Sequence, residues 1–256
     1  MSINKSKNRL KILDLLKIHT PAFQLKSGSD ELKSSEQFFS IGSQETEGMS
    51  RACHASSLAV LEFISETIMD GDVSLETGGG WSTCVFAACA KKHICINPDI
   101  TANELIKRFI EDNNINIREL IFRNETSDIA LPALDKNLLL DIALIDGNHS
   151  FPIPIIDWHY MDLHLKKGSI ILIDDTHIRS VGVLSEYLSL EKNYEKIAEI
   201  GNADVFKKIC SCRVWGWADQ EFNKIYNIKK NHAKSTLMTR FINRLIRNFR
   251  NNFNLL

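Results

Sequence analysis

The chain has 256 residues, with 31 Lys and Arg against 32 Asp and Glu, and 44% of its residues are hydrophobic. This balance excludes a protein basic over its whole surface, as a dedicated nucleic-acid coater would be, and the apolar fraction excludes disorder as the main state. The length suits one large α/β domain with extensions, or two small domains.

In chain order, Leu10, Ile12, Leu13, Leu15 and Leu16 give residues 8–19 the spacing of a short amphipathic helix. Asp14 and Lys17 interrupt its apolar run, so no signal peptide is expected, and no run approaches the ~18 apolar residues of a membrane span. Residues 26–50, rich in Ser, Glu, Gln and Gly, read as a loop or lid, and 51–69 as a helix. A regular alternation follows. Strands are predicted at 73–77, 93–97, 117–122, 139–145 and 169–173, and helices near 82–91, 102–113, 154–165 and 179–190. Strands separated by helices, and apolar almost throughout, form a parallel sheet covered on both faces. Residues 196–200 and 204–209 flank Gly201-Asn202, which signals an antiparallel hairpin. Six cysteines at 53, 84, 89, 95, 210 and 212 form no C-x-x-C pair and read as thiols of a reduced, cytoplasmic protein.

The first chemical feature is Glu76-Thr77-Gly78-Gly79-Gly80-Trp81-Ser82-Thr83, between the first strand and its helix. A doubly wound sheet binds its cofactor at such a turn. Glycines let the backbone approach a ligand, and Ser82 and Thr83 offer hydroxyls and amides at a helix N-terminus. The bland alternative is an ordinary strand-to-helix turn. No Gly-Lys-Ser/Thr follows, and the glycines do not fit G-x-G-x-x-G, so neither a Walker loop nor a dinucleotide fingerprint is indicated. An acid just before the glycines suits a cationic ligand.

These residues resemble the E-x-G-x-G motif of class I S-adenosylmethionine-dependent methyltransferases, in the subgroup with Ser-Thr after it. Ile145-Asp146-Gly147-Asn148-His149-Ser150 is similar to that subgroup's I-D-G-x-H-S. Leu165 to Thr176 resembles its L-x-x-G-G-x-x-x-x-D-D-T, with Ser169 replacing the second glycine. The resemblance spans roughly residues 45–210. It implies a Rossmann-like α/β fold: a seven-stranded, mostly parallel sheet with helices on both faces and a C-terminal antiparallel hairpin. It implies a cofactor site of Glu76, Thr77, Gly78, Gly80, Ser82, Thr83, Asn97, Ser127 and Asp146. One position departs: where the family places an acid for the ribose hydroxyls, this chain has Asn97, with Asp99 two residues on.

Asp146 ends the fourth strand, and Asp174 and Asp175 end the fifth. Adjacent C-terminal ends lie side by side, so the three carboxylates are expected to converge as hard ligands for Mg²⁺. The alternative is that Asp174 and Asp175 cap the next helix. By resemblance to metal-dependent O-methyltransferases, the D-x-x-H spacing makes His149 the general base, with Asp146 beside it. Its alternative is a histidine that orders its loop. His177 is a second candidate, whereas His54, His159 and His164 read as packing or surface residues. Trp158 and Tyr160 read as core, and Trp81 as a cover for cofactor or substrate.

Residues 237–253 form a helical apolar stripe, with Arg240, Arg244, Arg247 and Arg250 largely away from it. Residues 207–256 hold 11 basic and 2 acidic side chains, while the other 206 hold 20 and 30. The near-zero total therefore hides an acidic body and a basic tail. The stretch 234–253 either docks on a protein surface, its own or that of a second copy in a homo-oligomer, or lies peripherally on an anionic membrane. The expected organisation is an N-terminal extension over 1–48, a methyltransferase domain over 49–212 and a C-terminal extension over 213–256. The expected activity is S-adenosylmethionine-dependent O-methylation of a small hydroxylated acceptor, a sugar or natural product, with Mg²⁺ assistance and no nucleic-acid partner. A methyltransferase-like scaffold with reduced catalysis, acting at a membrane or in an assembly, is the alternative.

Overall fold

The computed structural model describes residues 10–15, 56–211 and 216–226. The expectations for the 26–50 loop, for His54 and for the 234–253 stretch lie outside these residues. Residues 10–15, 56–189 and 193–211 make one compact unit; residues 190–192 and 216–226 belong to a second. In the second unit, the Phe222 amide donates to Glu191 Oε1 (3.2 Å), and Lys192 and Lys224 pair with Glu221 (2.8 and 3.1 Å).

The first unit alternates as the sequence predicts: α1 (Leu58–Thr67), β1 (Val73–Thr77), α2 (Trp81–Cys89), β2 (Lys92–Ile96), α3 (Ile100–Asp112), β3 (Leu120–Arg123), α4 (Ser127–Ala130), β4 (Leu140–Ile145), α5 (Ile153–His164), β5 (Leu165–Ile173), α6 (Arg179–Leu190), β6 (Tyr194–Ile200) and β7 (Ala203–Lys208). The seven strands form one sheet in the order β3-β2-β1-β4-β5-β7-β6. β7 runs antiparallel to both neighbours, and the other pairings are parallel. This is the expected Rossmann-like sheet.

Period-two alternation assigns the two faces. Ile142 and Leu144 of β4 and Leu172 of β5 pack with α1, α2 and α3 through Leu61, Ile64, Phe86 and Phe109. Ala143, Ile145, Ile171 and Ile173 point the other way, to Leu131, Met161, Leu184 and Leu188 on the second layer of helices. Both faces are therefore dry, which is why these strands are almost continuous runs of Ile, Leu and Ala. Ile12 of the helical segment 10–15 is fully buried in the first layer, and Lys11 Nζ donates to the Asn114 carbonyl (3.0 Å).

Local chemistry sets several helix starts. Ser57 caps α1 by accepting from the Val60 amide (3.4 Å). Asp99 caps α3 by accepting from the Ala102 amide (3.0 Å). Its carboxylate is therefore engaged with the helix it starts. The sheet order reverses between β1 and β4, and the crevice past their C-terminal ends is where this architecture takes ligands.

Phe206 of β7 is fully buried against the second helix layer. Phe206→Ala is expected to lower unfolding stability by about 3–5 kcal/mol, read from urea titration. A loss under about 1 kcal/mol would show that β7 does not belong to the cooperative core.

Candidate functional site: a crevice at the ends of β1, β2 and β4

Each parallel strand hands one more backbone bond to its neighbour beyond its last residue. The Gly78 amide donates to Ile96 O (3.0 Å), Asp146 N to Thr77 O (3.1 Å) and Asp174 N to Ile145 O (3.0 Å). The residues that follow each strand are thereby fixed at one level. A cavity of about 390 Å³ opens there, lined by the glycine turn, Asn97, Ser127, Asp128, Asp146 and Ile153.

The turn is held from beneath. Glu76 is fully buried. Its carboxylate accepts from Ser82 Oγ (2.6 Å) and Thr83 Oγ1, and from His93 Nε2 (3.0 Å). With Nε2 donating, His93 Nδ1 accepts from Ser74 Oγ (2.9 Å). The imidazole also stacks on Phe86 at 4.8 Å. Thr83 Oγ1 in turn accepts from the Gly80 amide (3.0 Å), closing the first turn of α2. Glu76 and Thr83 thus brace the turn from within, and neither is among the residues that line the cavity.

The glycines have different reasons. Gly78 has φ of +82°, and a Cβ there would lie 2.1 Å from the Asp146 carbonyl. It lets β1 and β4 approach. Gly80 has an extended backbone, and its Cβ would meet no atom within 4 Å. A side chain at 80 would project into open space at the cavity wall. Trp81 lines the cavity while packing edge-on against Phe109 at 5.0 Å.

Asn97 lines the cavity in the place the sequence assigns to a ribose contact. Its orientation is dictated by neighbours. Asn103 Nδ2 donates to the Asn97 carbonyl (2.9 Å) and to Asn124 Oδ1 (2.8 Å). Asn103 therefore turns its Oδ1 to the Asn97 side chain and accepts from Nδ2 (2.9 Å). Asn97 Oδ1 accepts from the Asp99 amide (3.3 Å). A carboxylate at 97 would set two acceptors against each other, so this network calls for an amide. Asn97→Asp is expected to lower stability by about 1–3 kcal/mol in urea titrations at pH 8. Unchanged stability would show that Asn103 turns at no cost.

The carboxylates at the far rim only partly follow expectation. Among the described residues, Asp146, His149 and Asp175 bring one potential ligand atom each within 4.8 Å of one another. His149 Nε2 lies 3.6 Å from Asp146 Oδ1 and 3.7 Å from Asp175 Oδ2, with no hydrogen-bond partner. Asp174, expected as a third carboxylate ligand, is buried, and its Oδ1 accepts from the Asp175 amide (2.9 Å). It is not one of the three. Neither acid caps the next helix, which starts at Arg179. Ser56 Oγ donates to Asp146 Oδ2 (3.0 Å) and also faces Asp174. Ser180 Oγ holds the His149 carbonyl. His177, largely exposed, reaches Asp175 at 3.6 Å.

Burial pushes the Asp146 carboxyl up to about 7, with Asp174 and Asp175 adding to the effect and His149 and Ser56 opposing it. Burial likewise raises Asp174. Asp146 raises His149, against the effect of burial. Nothing in the pattern of residues identified His93 or Asn103 beforehand; the signal available was a polar residue in an apolar strand or on a buried helix face.

Other expected residues have structural partners. Trp158 packs edge-on with Tyr187 at 5.3 Å and His159 with Tyr160 at 5.0 Å. His164 Nδ1 lies 3.0 Å from the Leu138 carbonyl. Cys84, Cys89 and Cys95 are buried, and Cys210 is half-buried. Among the described residues no helix is long and apolar enough to cross a membrane.

Residues 75–176 match the family model of a methyltransferase domain. That segment holds the glycine turn, Asn97, the β4 motif and the β5 carboxylates. An O-methyltransferase from Bacillus cereus, solved with SAH, is similar at a TM-score of 0.53 and 15% identity, covering 62% of this chain and 84% of that one. A protein from Corynebacterium glutamicum is similar at 0.51 and 12%, covering 61% and 82%. At these identities the likenesses show a shared fold. No curated protein matches the chain.

An unfolded Asp releases its proton near ~4, whereas native Asp146 keeps its proton to about 7. The native state therefore holds the extra proton, and stability falls as pH rises through that window. Asp146→Asn removes the buried charge. Above pH 7 and without metal it is expected to melt higher than the wild type, with the difference shrinking towards pH 4. A variant melting lower at pH 8 would contradict this reading.

Proposed function

We propose that the chain is an S-adenosylmethionine-dependent methyltransferase that methylates a hydroxyl of a small polyhydroxylated acceptor, a sugar or natural product. The observation that carries this reading is the switch-point cavity joined to the Asp146–His149–Asp175 cluster, within the segment that matches a methyltransferase domain. The B. cereus neighbour, an O-methyltransferase holding SAH in a similar fold, supports it.

The residues fit the cofactor. Gly80 leaves open space that any side chain would fill, and Asn97, Ser127 and Asp128 supply polar groups along the same wall. The bound cofactor supplies an electrophilic methyl on a sulfonium. Asn97 keeps one amide hydrogen and one lone pair for the ribose hydroxyls. The backbone amides at the start of α2, that of Ser82 among them, would meet the anionic end, since the Ser82 hydroxyl proton is held by Glu76. Asp146 stands at the boundary between this cavity and the acceptor side.

The cluster also fits a hard divalent cation. Three half-buried potential ligand atoms face each other, and burial raises the Asp146 carboxyl to about 7 despite the opposing effects of His149 and Ser56. Asp146 and Asp175 would hold the ion, which would favour the ionised form of a bound hydroxyl. His149 Nε2, without a hydrogen-bond partner, would take the proton of the acceptor hydroxyl. Its basicity, raised by Asp146, suits that step. The body's acidity, set against the basic tail, favours a cationic cofactor and metal. The scaffold alternative rested on Asn97; the Asn103 network accounts for that amide without loss of the cavity.

Calorimetry with S-adenosylmethionine and S-adenosylhomocysteine tests the reading. The wild type is expected to bind both in the micromolar range, and Gly80→Asp, with its fold intact, neither. With an accepted sugar, chelation is expected to lower turnover and Mg²⁺ to restore it. No binding of either cofactor form would overturn the proposal; binding with turnover unaffected by chelation would remove the metal from it.

A further inference from the structure

The mechanism leaves one buried acid unused. Asp157, on the second turn of α5, is fully buried. Neither of its oxygens meets hydrogen-bond geometry, alone among the buried carboxylates of the described residues, although the Thr77 and Ser127 hydroxyls lie near enough to act on its titration. Thr77 Oγ1, at the end of β1, is likewise buried and unpartnered. Other buried acids are satisfied: Glu76 by Ser82, Thr83 and His93, Asp162 by Lys208 and Tyr194, Asp204 by Ser185 and Lys196.

Its position gives the orphan carboxylate a direction. Ile153 lines the cavity, and Asp157 stands four residues further on the same face of α5. The groups that face it are the hydroxyls of Thr77 and Ser127, with the Asp128 carboxylate the nearby charge. Those three residues all line the cavity. Asp157 therefore sits directly behind the wall that the cofactor reading assigns to the nucleoside. A buried carboxylate left without partners costs stability unless something it organises repays the cost.

We propose that Asp157 is a positioning residue for the nucleoside end of the cofactor: it takes the hydroxyl protons of Thr77 and Ser127 and so turns their oxygen lone pairs to the ligand's amino and hydroxyl hydrogens. A hydroxyl has one proton and two lone pairs. Without an acceptor behind it, its proton is free to point into the cavity, where it repels the donors of an adenosine. With Asp157 behind, both hydroxyls become acceptors. This inference rests on the cofactor reading above.

Protonation supplies a readout that packing alone would not. Burial pushes the Asp157 carboxyl up to about 6, with the Thr77 and Ser127 hydroxyls opposing the shift and Asp128 adding to it. Positioning requires the ionised form. Cofactor affinity is then expected to rise as pH increases through about 6, and binding lowers the pKa further. Asp146 titrates in a neighbouring range at another wall of the cavity. It does so in wild type and variant alike, so the ratio of their affinities isolates Asp157.

The test is calorimetry of the full chain with S-adenosylhomocysteine, which lacks the sulfonium, from pH 5 to 8, for wild type, Asp157→Asn and the Thr77→Val/Ser127→Ala double variant. At pH 8 Asp157→Asn is expected to bind about tenfold more weakly than wild type. The ratio should approach unity near pH 5, where the wild-type carboxyl is protonated. The double variant should show the same loss, and adding Asp157→Asn to it should change nothing further. The melting temperature of Asp157→Asn, expected at or above wild type at pH 8, confirms that it folds. A wild type that binds at every pH, with an Asp157→Asn affinity ratio of one or a ratio independent of pH, overturns this inference alone. A wild type that binds no cofactor form at any pH overturns the cofactor reading and this inference with it.

Discussion

The crevice depends on one buried carboxylate. Glu76, next to last in the central strand β1, ties Ser82 and Thr83 of α2 to His93 of the adjacent strand. Three acceptor bonds, at least one from a ring nitrogen, offset the desolvation of a charge at zero exposure. The arrangement fixes where α2 starts relative to the sheet, and so where the glycine backbone can run. Thr83 extends the hold to the Gly80 amide, and Gly78 allows the Asp146 carbonyl to come close. Remove the carboxylate, and the serine, threonine and histidine are left as unpaired polar groups in a dry core. The first acid of the motif is thus a brace whose effect on a ligand passes through backbone.

Much of this arrangement was legible in the sequence. The strand and helix alternation follows from apolar runs broken by Gly, Pro and polar residues, and every predicted strand occurs within a few residues of its place. β5 starts at Leu165 instead of Ser169, because Lys166, Lys167 and Gly168 continue it as exposed residues across a register shift against β4, a stretch that hydrophobicity does not mark as strand. The short α4 has no sequence signal, since four residues give no period. The convergence of Asp146 and Asp175 follows from strand adjacency. What the sequence withheld depends on register and on side-chain direction. His93 meets Glu76 because β2 pairs in parallel with β1, with Ser74 opposite His93 and Glu76 opposite Cys95. Asn97 is specified by Asn103, one helical turn into α3. Asp174 and Asp175 are adjacent in sequence, yet a backbone φ of +55° at Asp175 sends it to His149 while Asp174 bonds the Asp175 amide.

The acids of this fold divide into two populations. Glu76, Asp162 and Asp204 are buried, absent from the cavity lining and matched to donors. Asp146, Asp157 and Asp174 surround the C-terminal ends of the parallel strands, and burial raises the pKa of each. A fold selected for stability alone would convert the second group to amides or give it cationic partners. Their common location argues that the destabilisation is confined to one region because the partners come from outside the chain. A cation would satisfy Asp146, and a nucleoside acting through two hydroxyls would satisfy Asp157. Stability and occupancy of the crevice are then linked: each ligand that binds only the native state raises its stability, and most strongly above pH 7, where these buried carboxylates carry their full charge.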